Sequence, residues 1–370
     1  MFSMFFGAGN ITFPLVIGQA VGKELPWALL GLILTAVVVP FSGLFAMTLF
    51  KGDYERFFYR MGKWPGFAVI VFLLSLIGPL GGIPRCLTLT FSMLKTYVPT
   101  LSLIPFSLAS AGVIFLCAWK RNRILDLVGY VLSPLLIFFL LAIVIKGVFF
   151  SSSGPSIAST EPFPFLYGLK EGYNTMDLLG AFFFSSLIYS RVSKQQKEKE
   201  RKGLFVLIFK SSLIGALLLT LIYIGFSYVA AHHQVALEGV GVDQILGKIG
   251  QVVLGHHAGL IICLSIALTC LTTAIALAII VAEFLEKKIL KGRISYNNAL
   301  VIVLLISTFV STLEFTGIVR LLSPVLQLIY PSLLILSVFN ICYKTFGYRP
   351  VKIPVFMSFM VFALCQHLMK

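Results

Sequence analysis

Apolar residues occur along the chain in long runs, separated by short polar segments. Many of these runs reach at least 18 residues, the length that an α-helix needs to cross the hydrocarbon core of a bilayer. No polar stretch is long enough for a soluble domain, so residues 1–370 are predicted to form a single transmembrane domain. We predict about eleven membrane-spanning helices, with ends accurate to a few residues, at 3–22, 26–50, 66–94, 101–119, 124–149, 174–190, 203–231, 252–285, 296–313, 317–342 and 352–369.

The composition agrees with the hydropathy pattern. The chain is 58% hydrophobic and 12% charged, with a mean hydropathy of +0.99, whereas soluble domains are about 25% charged. A net charge of +15 could indicate nucleic-acid binding, but the basic residues cluster in alternate loops. Such a bias predicts that these loops and the N-terminus are cytoplasmic in a plasma (inner) membrane, without a nucleic-acid partner. The basic loops are 51–63, 120–123, 191–202, 287–293 and 344–352.

Glycine and proline interrupt the first predicted span between Phe5 and Pro14. An unbroken helix satisfies its own backbone hydrogen bonds, whereas a break within the membrane leaves N–H and C=O groups free. Such breaks are tolerated where backbone groups meet a substrate or an ion, as in secondary transporters. The pattern therefore predicts a transporter whose first span is discontinuous.

The sixth predicted span, 174–190, is short and contains Gly180, Ser185 and Ser186. Short or interrupted spans at equivalent positions of two halves indicate a binding site between repeats. Spans one and six are five apart, and an odd number of spans in each repeat gives the halves opposite orientations. We therefore expect inverted repeats at 1–150 and 174–342, with 352–369 as an extra helix.

Span eight carries three threonines, Thr269, Thr272 and Thr273, at positions i, i+3 and i+4 of one helix face. Their oxygens could bind a small cation such as sodium. Alternatively, the hydroxyls bond back to carbonyls of the same helix or join neighbouring helices.

Arg85 lies within span three, where an arginine costs roughly 2.5–3.5 kcal/mol on insertion scales. We interpret it as a gate or substrate-path residue. The alternatives are a structural pair, or a side chain that extends to the membrane interface.

Asp177 is predicted to cap the start of span six near its outer end. Spans one, six and eight then hold no carboxylate at mid-depth, which favours sodium over a proton as the coupling ion. The spans contain neither paired carboxylates nor a metalloprotease-type motif, so the sequence predicts a protein that is not an enzyme.

Five segments resemble motifs of the BrnQ-type branched-chain amino acid:cation symporters. The chain departs from the family at two positions: Leu15 stands where the family's first motif has its second proline, and Ser185 falls where family members often carry glycine. The matching segments are Phe6–Pro14 (FxGAGNxxFPP in the family), Gly78–Arg85 (GPLxxxPR), Gly172–Asp177 (GYxTMD), Leu268–Ala274 (LTCLTTA) and Leu328–Pro331.

The resemblance implies the amino acid–polyamine–organocation superfamily, with a LeuT-type 5+5 inverted repeat and discontinuous spans one and six. It implies import of leucine, isoleucine or valine by alternating access with a coupling cation, Na+, and no other cofactor. The alternatives are a proton-coupled transporter of another neutral amino acid, or an inactive, shortened relative. The resemblance implies that the substrate's carboxylate binds at Ala8, Gly9 and Asn10, and that its aliphatic side chain lies against Phe182. The substrate's ammonium group would bind Ser185, Ser186 and the unwound carbonyls of Phe182–Phe184. Sodium would lie between the carbonyls of Ser3 and Phe6 and the oxygens of Thr269, Thr272 and Thr273.

Overall fold

The computed structural model describes residues 5–119, 133–149, 159–195 and 201–368, and within these ranges it contains helices and no strand. Two short helices, Tyr54–Phe58 and Ile245–Leu254, connect α2 to α3 and α7 to α8. A π-helical turn, Leu34–Val38, joins the two parts of α2. The main helices are α1 (Ala8–Val21), α2a (Leu25–Ile33), α2b (Val39–Leu49), α3a (Lys63–Ile77), α3b (Gly82–Lys95), α4 (Leu103–Trp119), α5 (Ser133–Phe149), α6a (Pro164–Asn174), α6b (Asp177–Gln195), α7 (Arg201–His232), α8 (His256–Phe284), α9 (Tyr296–Ser311), α10 (Glu314–Phe346) and α11 (Lys352–Leu368).

The outer surface of these helices is apolar. Leu116, Phe149 and Phe309 are 71%, 79% and 77% exposed, and an exposed apolar belt of this kind is costly in water. Five helical stretches of the described residues are long and apolar enough to cross a membrane, and four shorter apolar helices accompany them. The chain is therefore a multi-pass membrane protein. The five stretches are Ala8–Leu49, Lys63–Lys95, Phe205–His232, Gly259–Ile289 and Glu314–Phe346.

Three of the main helices are interrupted within the bundle. Phe5 is helical, Phe6 and Gly7 are not, and α1 begins at Ala8. In α3 the break covers 78–81, and in α6 it covers 175–176. Met176 has a φ of +64°, a left-handed conformation that side-chain-bearing residues adopt at a cost of about 1–3 kcal/mol. The surrounding packing must therefore hold the α6 break in place.

The helix packing repeats with a shift of five helices. Helix α1 packs against α7, and α6 packs against α2. Likewise, α3 packs against α9 and α8 against α4, while α2b contacts α10 and α7 contacts α5. Each of these contacts thus has a counterpart in which both helices are replaced by the ones five positions away.

The predicted break in span six is in the wrong place. We expected an interruption at Gly180 and the Ser185–Ser186 pair, with unwound carbonyls at Phe182–Phe184, but these residues lie inside α6b. The Gly180 N–H donates to the Met176 carbonyl over 3.1 Å, and the Ser185 hydroxyl donates to the Phe182 carbonyl over 2.8 Å. Both bonds follow the regular helical pattern, so neither the glycine nor the serine pair interrupts the helix.

Two other predicted spans are divided. Span three, predicted as 66–94, is broken at 78–81, where Gly82 starts a new helix. Span eight, predicted as 252–285, is α8 preceded by the separate helix Ile245–Leu254, because Gly255 turns the chain with a φ of +85°. Of predicted span five, 124–149, only α5 lies within the described residues, and the basic segment 120–123 lies outside them.

Candidate functional site

A small cavity, of about 60 Å³, lies where the three helix breaks meet. Its wall combines backbone at the helix starts, two charged side chains and an apolar surface. Such a mixture of apolar wall and few polar groups is typical of small-molecule sites. The lining residues are Phe5, Gly7, Ala8, Gly9 and Asn10 from the α1 region; Ile77, Gly82, Arg85 and Cys86 from α3; Thr175, Met176, Asp177, Gly180 and Phe184 from α6; and Thr273 and Leu277 from α8.

Glycines bring the broken helices into backbone contact. A Cβ atom on Gly9 would lie 2.9 Å from the Cα of Thr175 and 3.0 Å from its carbonyl oxygen, so only glycine fits here without a shift. A Cβ atom on Gly82 would lie 2.7 Å from the Leu277 side chain. The breaks in α1 and α6 therefore touch, and the start of α3b packs closely on α8.

Three helices, α1, α3b and α6b, begin at the cavity. The first N–H groups of a helix have no acceptor within it, and they carry the positive end of its dipole. Four of these groups have partners outside the regular helical pattern. Gly7 N–H donates to Asn10 Oδ1 over 3.0 Å, Ile83 N–H to the Gly78 carbonyl over 3.1 Å, and Asp177 N–H to the Thr175 hydroxyl over 3.5 Å. Leu178 N–H donates to the Tyr330 hydroxyl over 3.3 Å. This last bond places the Leu328–Pro331 motif at this site, and the remaining helix-start amides suit an anionic group.

A buried hydrogen-bonded network joins α1, α6b and α7. The Asn10 side-chain amide donates to Asp177 Oδ2 over 2.6 Å and also contacts the Tyr223 hydroxyl. Tyr223 in turn donates to Asp177 Oδ2 over 3.1 Å. All three side chains are at most 4% exposed, and no ion pair to Asp177 exists among the described residues.

The expectation that these spans hold no buried carboxylate is therefore wrong, and so is the capping role of Asp177. Because α6 breaks at Thr175 and Met176, Asp177 begins α6b inside the bundle, where its side chain binds α1 and α7. The Asp177 N–H donates to the Thr175 hydroxyl over 3.5 Å. The Gly172–Asp177 motif was the signal that could have located this acid.

Arg85 is 2% exposed and faces the cavity. Its Nη1 donates to the carbonyl of Asn174, the last residue of α6a, over 2.7 Å. Its guanidinium carbon lies 5.7 Å from the centre of the Phe13 ring. Within the described part of the chain, Nε and Nη2 have no hydrogen-bond partner. The alternative that Arg85 extends to the membrane interface is wrong.

Two of the three threonines on α8 bond back to carbonyls of their own helix, as the alternative interpretation predicts. Thr269 donates to the Ser265 carbonyl over 2.9 Å, and Thr272 donates to the Thr269 carbonyl over 2.8 Å. Thr273 differs, because its buried hydroxyl has no partner among the described residues. The Thr273 methyl group lies beside the α1 break, 3.5 Å from the position that a Cβ atom would take on Gly7.

The other predicted site residues divide between the cavity and the surrounding bundle. Ala8, Gly9, Asn10 and Phe184 line the cavity, and Phe6 lies in the α1 break. Three other predicted residues lie outside the cavity. The Phe182 ring packs on Phe57 and Phe58, with 5.2 and 5.3 Å between ring centres. Ser185 forms a hydrogen bond within its own helix, and Ser186 borders a separate recess beside Asp53 and Tyr54. Ser3 lies outside the described residues. Among the residues that the sequence did not assign to the site are Met176, Asp177, Tyr223 and Leu277.

Comparison with known proteins connects this site to a family. The model of the family described as "Branched-chain amino acid transport protein" matches residues 1–370. The branched-chain amino acid permease BraB of Bacillus subtilis is 32% identical over 358 residues, which cover 94% of this chain and 80% of the permease. The permease BrnQ of the same organism is 30% identical over 363 residues, covering 93% and 80%. A putative branched-chain amino acid carrier protein of Staphylococcus saprophyticus is 29% identical over 351 residues, covering 90% and 77%.

Proposed function

The chain belongs to the branched-chain amino acid transport protein family, and from this membership we propose that it imports leucine, isoleucine and valine by symport with a cation. The family is one of transport proteins, and we accordingly propose transport and not catalysis as the activity of this chain. The protein would act in the plasma membrane with its N-terminus in the cytoplasm, as the distribution of basic loops predicts.

The observation that carries this proposal is the cavity at the meeting point of the three helix breaks. The starts of α1 and α6b supply polar backbone to an amino acid's charged groups. Phe5, Ile77 and Leu277 supply an apolar wall for an aliphatic side chain. Because an apolar pocket separates side chains that differ by one methylene by only about 1–3 kcal/mol, we expect the three branched amino acids to compete for one site.

We propose the LeuT-type 5+5 arrangement with eleven spans as the fold that supports transport. The five-helix shift in the packing supports it, since α1–α7 and α6–α2 are equivalent pairs. In this arrangement α1, α2, α6 and α7 rock as a bundle against the remaining helices, which opens the cavity to one side of the membrane at a time.

Sodium is our first candidate for the coupling ion. The unpartnered hydroxyl of Thr273 beside the Phe6–Gly7 break supports it, because hydroxyl and carbonyl oxygens suit a small hard cation. The proposed ligands remain Ser3, Phe6, Thr269, Thr272 and Thr273. A proton is the second candidate, and one observation favours it: the Asp177 carboxylate is buried at the cavity with no ion pair to a described residue.

Uptake of radiolabelled leucine into proteoliposomes tests the proposal. The purified protein is assayed with an inward sodium gradient at equal pH, and with an inward proton gradient in sodium-free buffer. Accumulation that needs sodium, and that unlabelled isoleucine and valine inhibit, supports sodium symport. Accumulation driven by the pH gradient alone transfers the coupling role to a proton. If neither gradient drives accumulation of a branched-chain amino acid, the proposed transport is wrong.

A further inference from the structure

The Arg85 guanidinium is the least satisfied charged group in the described part of the bundle. It is 2% exposed, yet two of its three nitrogens have no hydrogen-bond partner there. An unpaired buried charge is costly, and proteins keep one where a ligand completes it. No carboxylate of a described residue lies within 4 Å of it, so the protein itself does not supply the missing anion at that distance.

Two contacts fix the guanidinium at the cavity. Nη1 is anchored on the Asn174 carbonyl over 2.7 Å, and the Phe13 ring lies 5.7 Å from the guanidinium carbon. The anchored nitrogen leaves Nε and Nη2 unpaired, and these two form one edge of the planar group. That edge matches the two oxygens of a carboxylate, which arginine binds through two parallel hydrogen bonds.

The same end of the cavity contains the start of α1. Gly9 lies against Thr175, the residue that follows Asn174, and Phe13 lies one helical turn after Gly9. Arg85 and the helix-start amides of α1 therefore border one region. An anion there meets both a full positive charge and the positive end of a helix dipole.

The charge balance of the cavity indicates what kind of anion. Arg85 and Asp177 are the cationic and acidic side chains that line it, and they lie on opposite sides of the two-residue break in α6. The lining therefore offers one charged group of each sign, which suits a zwitterion better than a simple anion.

We propose that Arg85 binds the α-carboxylate of the transported amino acid through Nε and Nη2. This inference rests on the proposed function, and it gives Arg85 a direct substrate contact in place of a role in gating. The residue would distinguish amino acids from amines with the same side chain.

The test measures equilibrium binding to the purified full-length protein in detergent. Leucine is compared with isopentylamine, which has the same aliphatic group and ammonium but no carboxylate. In the wild type we expect leucine to bind more tightly than the amine. In Arg85→Gln, leucine affinity should fall by about 10- to 100-fold, the range for losing a charged hydrogen-bond partner, while isopentylamine affinity changes little. The preference for leucine should therefore collapse.

Arg60→Gln is the matched control. Arg60 also donates to backbone carbonyls, including that of Arg349 over 2.8 Å, but it does not line the cavity, so the preference for leucine should persist. Arg85→Lys provides a second test in case Arg85→Gln misfolds, because lysine keeps the positive charge but lacks the planar pair of donors. It should bind leucine more weakly than the wild type and more tightly than Arg85→Gln.

The outcomes separate this inference from the proposed function. If leucine binds and Arg85→Gln or Arg85→Lys keeps the wild-type preference over isopentylamine, the role of Arg85 is wrong and the transport proposal stands. If the wild type binds a different amino acid and no branched one, the transport proposal is wrong, and Arg85 is tested with that amino acid and its amine. If the wild type binds none of the standard amino acids, both proposals are wrong.

Discussion

Asn10 donates its side-chain amide to the carboxylate of Asp177 over 2.6 Å, and this bond joins the start of α1 to the start of α6b. The oxygen of the same amide accepts the Gly7 N–H over 3.0 Å. One side chain therefore closes the first turn of its own helix and holds the second broken helix against it. We expect changes at this bond to alter substrate affinity and transport together, because it sets the distance between the two helix breaks.

Asp177→Asn should reduce leucine uptake by at least about tenfold, the effect of removing one charged hydrogen-bond acceptor. An asparagine carbonyl can still accept from Asn10 and Tyr223, so we expect the protein to fold. Uptake into proteoliposomes and thermal unfolding measure the two properties. If a proton is the coupling ion, the response to a pH gradient should disappear as well.

Asp53→Asn is the control for this change. Asp53 caps the helix Tyr54–Phe58 by accepting the Arg56 N–H over 3.0 Å, and asparagine caps helices about as well as aspartate. Its uptake should match that of the wild type. Equal uptake by Asp177→Asn and Asp53→Asn would contradict a role for the buried carboxylate.

Thr273→Val should weaken sodium dependence more than Thr269→Val. Valine keeps the shape of threonine and removes the hydroxyl. At Thr273 that hydroxyl has no partner among the described residues, whereas at Thr269 it is bonded to the Ser265 carbonyl. We expect the sodium concentration for half-maximal uptake to rise about tenfold in Thr273→Val, as for the loss of one ligand to a charged group. A sodium curve for Thr273→Val that matches that of the wild type would argue against a cation site at Thr273.

The sequence predicted the break in α1 because its cause is local. Gly7 and Gly9 favour irregular backbone, and the polar Asn10 within an apolar run has no role in a plain lipid-facing helix. The apolar runs likewise predicted most helices to within a few residues. These features depend on residues close together in the chain, so a single sequence is enough to find them.

The break in α6 could not be found in the same way. Thr175 and Met176 are neither glycine nor proline, and Met176 adopts a left-handed φ of +64°. The break is supported by distant residues: Gly9 leaves space for Thr175, and the Tyr330 hydroxyl accepts the Leu178 N–H. Local composition instead predicted a break around Ser185, where the structure has a continuous helix and the Ser185 hydroxyl bonds to a carbonyl of that helix.

Gly9→Ala should abolish leucine binding while leaving much of the bundle intact. The added Cβ would lie 2.9 Å from the Thr175 Cα and 3.0 Å from its carbonyl oxygen, so the α1 and α6 breaks would have to separate. Gly112→Ala is the matched control, because a Cβ there meets nothing within 4 Å. Alanine within a helix is about 0.5–1 kcal/mol more favourable than glycine, so Gly112→Ala should bind leucine normally and unfold at the same or a higher temperature. Normal leucine binding by Gly9→Ala would show that the close approach is not needed.

Tyr330→Phe should destabilise the start of α6b, because the buried Leu178 N–H loses its acceptor. The Tyr330 ring is fully buried and lies 4.8 Å from that of Tyr173, so phenylalanine keeps the packing and removes only the hydroxyl. A buried donor left without an acceptor costs about 1–3 kcal/mol, and thermal unfolding in detergent should report a lower midpoint. Tyr348→Phe, at a tyrosine that is 48% exposed, should leave the midpoint unchanged. Leucine affinity should fall in Tyr330→Phe and not in Tyr348→Phe, because the destabilised start of α6b lines the cavity. A lower unfolding midpoint with unchanged leucine affinity would mean that Tyr330 supports the fold without shaping the site.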